Sequence, residues 1–107
     1  MRVFLTGGTG FVGREVSRQL IAAGHQVKAL VRTGSEHKLA IPESLEIHSG
    51  EVNDPDSYRD ILRGCDAIIH LVGIIREFPA RNITFQRLHV EATGEMIAAA
   101  EAAGIRR

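Results

Sequence analysis

One cysteine, one tyrosine, three prolines and no tryptophan are the scarcities of this 107-residue chain. With Cys65 as its sole thiol the chain forms no internal disulfide, and nothing in it points to an oxidising compartment. Thirteen basic residues balance thirteen acidic ones, so there is no field of one sign to draw the chain to nucleic acid or to an anionic membrane. The longest apolar stretch, 67–75, is interrupted by His70 and is too short to span a bilayer. No charged leader with an apolar targeting segment precedes the first strand, which makes the cytoplasm the expected location. Histidines at 25, 37, 48, 70 and 89 show no ligand spacing, so no metal site is expected. At 44% hydrophobic and 24% charged, a chain of this length supports one core and one domain over residues 1–107.

What the sequence does have is glycine. Four of its 11 glycines fall within Thr6-Gly7-Gly8-Thr9-Gly10-Phe11-Val12-Gly13, directly behind the apolar run Val3-Phe4-Leu5. A loop that only reverses direction needs one or two such residues, so this density implies that something approaches the backbone closely. A loop that leaves a parallel strand and opens a helix gathers free N–H groups and the positive end of the helix dipole at one point, which suits a pyrophosphate. Gly7 would make the tight turn, Gly10 would admit the phosphates and Gly13 would let the helix pack closely on the strand. A tight strand-to-helix turn without ligand is the plain alternative. The position of the loop, after a strand and before a helix, favours the nucleotide.

Val3 to Leu5, Val27 to Val31, Leu45 to His48 and Ala67 to Val72 read as short strands. The first, second and fourth are almost continuously apolar, as strands covered on both faces are. Val12, Val16, Leu20 and Ala23 share one face of a first helix that Gly24 stops. Asp54, Pro55 and Asp56 supply an N-cap, a first-turn proline and a carboxylate for a short helix closed by Gly64. Ser35 could cap one turn through Leu39, and Pro42 forbids a long helix there. A third helix begins near Thr84, with Phe85, Leu88, Ala92, Met96, Ala99 and Ala103 as its stripe and Gly104 at its end. This βαβ progression predicts a doubly wound α/β fold with a parallel sheet in the order 3-2-1-4. Gly104-Ile105-Arg106-Arg107 looks like the turn into a fifth strand, so the chain is expected to be the N-terminal part of a longer nucleotide-binding domain. An uncovered fourth-strand edge and helix stripe would then favour self-association.

Thr6-Gly7-x-x-Gly10-Phe11-x-Gly13 resembles the TGxxGFxG loop of the extended short-chain dehydrogenase/reductase family, which includes NAD-dependent epimerases and dehydratases. Asp66-Ala67-Ile68-Ile69-His70-Leu71-Val72-Gly73 is similar to that family's fourth strand, DxVxHxAA, and Glu91-Ala92-Thr93 with Ala98-Ala99-Ala100 to its next helix. "HLVGIIRE" and "RLHVEATGEM" look most like an atypical branch that includes bacterial relatives of the nucleotide-binding accessory subunit of respiratory complex I. The resemblance implies a cofactor site of Thr6, Gly7, Thr9, Gly10, Phe11, Val12 and Gly13 in the loop, Arg32 after the second strand, and Glu51 and Val52 near the adenine. Leu71, Val72 and Gly73 would lie beside the nicotinamide ribose. Where the family often carries an acid to hold the ribose hydroxyls, this chain has Val31 and then Arg32. A carboxylate there favours NAD and an arginine can accept a 2′-phosphate, so NADP(H) is expected over NAD(H). A solvated loop cation is the plain alternative for Arg32. His89 stands where many relatives have asparagine.

The family's proton transfer uses a Tyr-x-x-x-Lys pair. Tyr58 has Leu62 four positions on, so it is expected to be a packing residue, and no catalytic residue is expected in this chain. The loop from Ile74 to Arg81 lies where doubly wound folds place substrate. Arg76 or Arg81 could meet an anionic substrate, and a salt bridge with Glu77 is the equal alternative. The substrate itself is unknown. Two classes of function stay open: an NAD(P)-dependent oxidoreductase, epimerase or dehydratase, or a protein that holds NADP(H) as a structural or sensing cofactor without turnover. Purified residues 1–107 are expected to oxidise no NAD(P)H against carbonyl or nucleotide-sugar substrates, followed at 340 nm; cofactor-dependent turnover would contradict this.

Overall fold

The computed structural model describes residues 1–72 and 77–107. Its first strand, β1 (Arg2–Thr6), sends Phe4 to one side of the sheet and Leu5 to the other, and neither is exposed to solvent. This is why the run is continuously apolar: the strand is central and covered on both faces. It pairs in parallel with β2 (Gln26–Val31) on one side and β4 (Ala67–His70) on the other. Outside β2 lies β3 (Glu46–Ser49), also parallel, so the order is 3-2-1-4 as expected. The helix α1 (Phe11–Ala22) covers the Leu5 face, where Val16, Leu20 and Ile21 pack against Val27, Ala29 and Val31. On the Phe4 face, α2 (Ala92–Ala102) brings Ala92, Met96 and Ala99 against Tyr58, Leu62 and Val52.

Local details differ from the sequence expectation in four places. The buried edge of α1 is Gly13 and Ser17, whereas Val12 is 58% exposed and Ala23 is also exposed. The helix is rotated so that its smallest residues face inward, and the Ser17 hydroxyl is satisfied by donating to the Gly13 carbonyl at 2.8 Å. The helix expected after Asp54 is one 3₁₀ turn, Pro55–Ser57, followed by irregular turns, and the Asp54 side chain caps nothing. Ser57 explains this: its hydroxyl is 2.7 Å from the Asp54 carbonyl and accepts the Glu51 N–H at 2.9 Å, competing with a helical ladder. The expected continuous helix from Thr84 opens instead with a π-helical turn, Gln86–Glu91. There the Arg87 carbonyl accepts the Ala92 N–H and also the Asn53 side-chain amide at 2.8 Å. Of the expected stripe, Phe85 is 43% exposed, and Ala103 at the far end is exposed too. Between β2 and β3, 3₁₀ turns at Glu36–Lys38 and Pro42–Ser44 replace any longer helix. Ser35 makes no capping bond, and Glu36 instead accepts the Gly34 N–H at 3.0 Å.

Beyond α2, Ile105 is buried and the Arg107 carbonyl accepts the Ile68 N–H at 2.9 Å, so the last residues lie along β4 on the side away from β1. Tyr58 is a packing residue, as expected: it is fully buried, with its ring centroid 5.8 Å from that of Phe4. Burial, helped by the Glu95 carboxylate, pushes its phenol from 10.0 up to about 12. Its folded value lies above its unfolded one, so its contribution to stability is complete below pH 10 and is lost as pH rises toward 12. Tyr58 is the sole tyrosine, so absorbance at 295 nm reads it alone. Phenolate should appear near pH 12 in the native protein, or together with unfolding, and near pH 10 in denaturant. Reversible ionisation near pH 10 with the fold intact would contradict this packing.

Candidate functional site

The glycine loop is held from beneath. Thr6, fully buried at the end of β1, has its hydroxyl 2.6 Å from Nδ1 of His70 at the end of β4. Burial pushes the His70 imidazole below its ordinary range, so the neutral ring is favoured in this contact. The Leu71 N–H donates to the Thr6 carbonyl at 3.2 Å, which carries the pairing past both strands. Gly7 then turns with φ 75°, and a Cβ on it would lie 2.6 Å from the Leu71 carbonyl carbon. Gly13 has still less room, since a Cβ there would fall 1.9 Å from the Gly7 carbonyl oxygen. Gly10 differs from both. It is the N-cap of α1 in extended backbone, and a Cβ on it would meet nothing closer than the Gly7 oxygen at 3.5 Å. The protein's own packing therefore requires glycine at 7 and 13 and leaves the space at 10 open.

The first bond of the α1 ladder runs from the Arg14 N–H to the Gly10 carbonyl at 2.9 Å. The N–H groups of Phe11 and Val12 precede that ladder at the positive end of the helix. Gly7, Thr9 and Gly10 face a groove of about 600 Å³. Val31 and Arg32 from the end of β2 line it, as do Glu51 and Val52 after β3 and Leu71 and Val72 after β4. Thr6 and Gly13 stand behind the loop as buried supports, while Phe11, 94% exposed, and Val12 lie outside the groove lining. Gly73 and Arg76 lie outside the described residues. Arg81 lines the groove with its guanidinium carbon 5.7 Å from the Phe78 ring centroid. The Glu77 carboxylate accepts the Phe85 N–H at 2.9 Å.

Sequence reasoning missed Ser35, Lys38, Asn53 and Arg87, all of which line the same groove. Lys38 carried a signal: it is a second cation six positions beyond Arg32, in a connection too broken by glycine and proline to lead away from the strand end. Asn53 and Arg87 carried none, because their meeting depends on the π-helical turn. Among the described residues no three His, Cys, Asp or Glu side chains group as a metal site, and no helix is long and apolar enough to cross a membrane.

A parallel sheet of order 3-2-1-4, whose central strand turns through glycines into a helix beside an open groove, defines a dinucleotide-binding α/β protein. Residues 7–107 match the NAD(P)H-binding family, and the chain belongs to it. It is 34% identical over 104 residues to a putative dihydroflavonol 4-reductase of Synechocystis sp., an alignment covering 97% of this chain and 30% of that protein. It is 26% identical over 111 residues to a UDP-glucose 4-epimerase of Streptomyces lividans, covering 99% of this chain and 34% of the relative. A short-chain dehydrogenase/reductase superfamily protein from Agrobacterium tumefaciens, solved with bound NAD, superposes with a TM-score of 0.80 at 29% identity, over 100% of this chain and 31% of that one. The chain is thus an NAD(P)-binding domain of the short-chain dehydrogenase/reductase type, and it spans about a third of the length of these relatives.

Gly13→Ala forces a methyl group onto backbone that has no side chain to move aside. Overpacking costs about 1–3 kcal/mol even where neighbours yield, and displacing the loop by that much should lower NAD(P)H affinity by about fivefold or more. Gly94→Ala, inside α2 with nothing within 4 Å of the added carbon, should leave affinity unchanged. Calorimetric titration of both variants checks this; wild-type affinity in Gly13→Ala would contradict it.

Proposed function

We propose that this chain binds NADP(H) in preference to NAD(H), as the cofactor module of a reductase, epimerase or dehydratase of the short-chain dehydrogenase/reductase type. One observation supports the preference: the groove end beyond β2 is lined by two cations, Arg32 and Lys38, with Ser35 between them, and β2 ends in Val31 with no carboxylate. In this reading the pyrophosphate lies over the Phe11 and Val12 N–H groups, whose orientation the Gly7 and Gly13 contacts fix. Gly10 leaves the approach clear. The adenosine ribose points to Arg32 and Lys38, and the nicotinamide to Leu71 and Val72, where it serves as hydride donor or acceptor.

Charge-assisted contacts to a 2′-phosphate are worth about 1.5–3 kcal/mol when well formed. Arg32 and Lys38 are exposed, and solvent screening brings each below that range, to about 1 kcal/mol or less. Glu51 lines the same end and opposes the phosphate, so a single cation would leave little net attraction. The substrate class, and a role in which NADP(H) is held as a structural or sensing cofactor without turnover, of the kind suggested by the likeness of residues 70–77 and 87–96 to complex I accessory-subunit relatives, are decided by assaying the whole protein.

Calorimetry with both reduced cofactors on wild type, Arg32→Ala and Lys38→Ala tests the preference. NADPH should bind more tightly than NADH, and each variant should weaken NADPH by about fivefold while leaving NADH within about twofold. Equal losses for both cofactors, or tighter NADH binding in the wild type, would remove these cations from the site.

A further inference from the structure

We infer that Arg14 is a positioning residue for cofactor discrimination: it fastens the turn that carries Lys38 to the glycine-loop helix, so that one rigid unit meets both the pyrophosphate and the ribose end of the dinucleotide. The inference rests on the proposed NADP(H) preference.

Arg14 follows Gly13 in the first turn of α1 and is half-buried. Its guanidinium donates to the carbonyl oxygen of Lys38, 24 positions further along the sequence. Among the described residues no carboxylate lies within ion-pair distance of it, so the carbonyl is its partner rather than a competitor for one. The segment it holds needs holding, since the β2–β3 connection contains only 3₁₀ turns, and His37 and Lys38 are exposed. Leu39 is the other anchor. It is 4% exposed, and its Cδ2 lies 3.3 Å from where a Cβ on Gly8 would sit. An apolar contact of that kind fixes the depth of the turn and leaves its rotation about Leu39 free, whereas a directed bond to the carbonyl of residue 38 fixes the rotation. The carbonyl that is held belongs to the same residue that lines the groove.

Freed of Arg14, the turn would have to be ordered at the moment a 2′-phosphate binds, and that entropy opposes only the cofactor that uses Lys38. NAD(H) lacks the phosphate and gains nothing from the ordering. Arg14 therefore acts on the ratio of the two affinities, which a residue that merely stabilises the fold or the pyrophosphate loop does not.

Dissociation constants of NADPH and NADH are measured for wild type, Arg14→Ala, Arg14→Met, Lys38→Ala and the Arg14→Ala/Lys38→Ala double variant. Arg14→Met keeps the buried stem and loses the donors, and so carries the test where Arg14→Ala fails to fold. Arg14→Ala and Arg14→Met should each weaken NADPH by about fivefold and leave NADH within about twofold, and the double variant should bind NADPH no more weakly than Lys38→Ala alone. Equal weakening of both cofactors, no change in either, or a double variant showing the product of the single losses would overturn the role. A wild type and Lys38→Ala that bind NADPH no better than NADH would instead overturn the preference beneath it, and the inference with it.

Discussion

Gly13 sits against the carbonyl of Gly7 at a distance that excludes even a methyl group, with a Cβ falling 1.9 Å from that oxygen. The close approach sets the start of α1 directly over the loop, and with it the direction in which the unbonded N–H groups of Phe11 and Val12 point. Gly7 is in turn wedged against the Leu71–Val72 backbone, so the end of β4 is set by the same contact. Beneath them, Thr6 and His70 close a hydrogen bond inside the sheet, and burial favours the neutral ring in it. Loop, helix end and β4 end therefore form one body. A groove whose walls must match a long, stiff ligand at several points benefits from such preorganisation.

Phosphate affinity and cofactor choice are separable in this arrangement. The backbone of the loop is blind to the sugar, and any dinucleotide presents it with the same pyrophosphate. In the proposed function, choice falls to side chains after β2, where Arg32 and Lys38 line the groove with Glu51 nearby. The chain as a whole carries no net charge, so this local excess of cations is a property of placement rather than composition. The relatives it matches include reductases and an epimerase, which fits a cofactor module that serves several chemistries supplied from elsewhere in each protein.

The parallel order 3-2-1-4 and the glycine loop were legible in the sequence because both follow from local sterics: apolar runs mark strands buried on two faces, and Gly7 and Gly13 are irreplaceable in their own turns. What escaped was set by competition between local and distant partners. Apolar periodicity put Val12 inside, but Gly13 and Ser17 let α1 approach more closely and won the inner face. Asp54-Pro55 carried a helix start, yet the Ser57 hydroxyl took the nearby backbone groups. The π-helical turn at Gln86–Glu91 has no period of its own to detect, and Asn53 at the Arg87 carbonyl is known only once the chain is folded. Lys38 was the one missed groove residue with a visible cue, its spacing from Arg32.

In the proposed function a dinucleotide pyrophosphate rests on the backbone N–H groups of Phe11 and Val12 at the head of α1, where the Gly7 and Gly13 contacts hold them. Amide chemical shifts of the ¹⁵N-labelled protein during titration with NADPH test it most directly. The largest changes should fall at Gly10, Phe11 and Val12, reproduced in direction by inorganic pyrophosphate alone, with Arg32 and Lys38 moving only for the intact cofactor. Unchanged loop amides with shifts confined to another surface, such as the Met1, Gln26 and Asp66 end of the sheet, would contradict it.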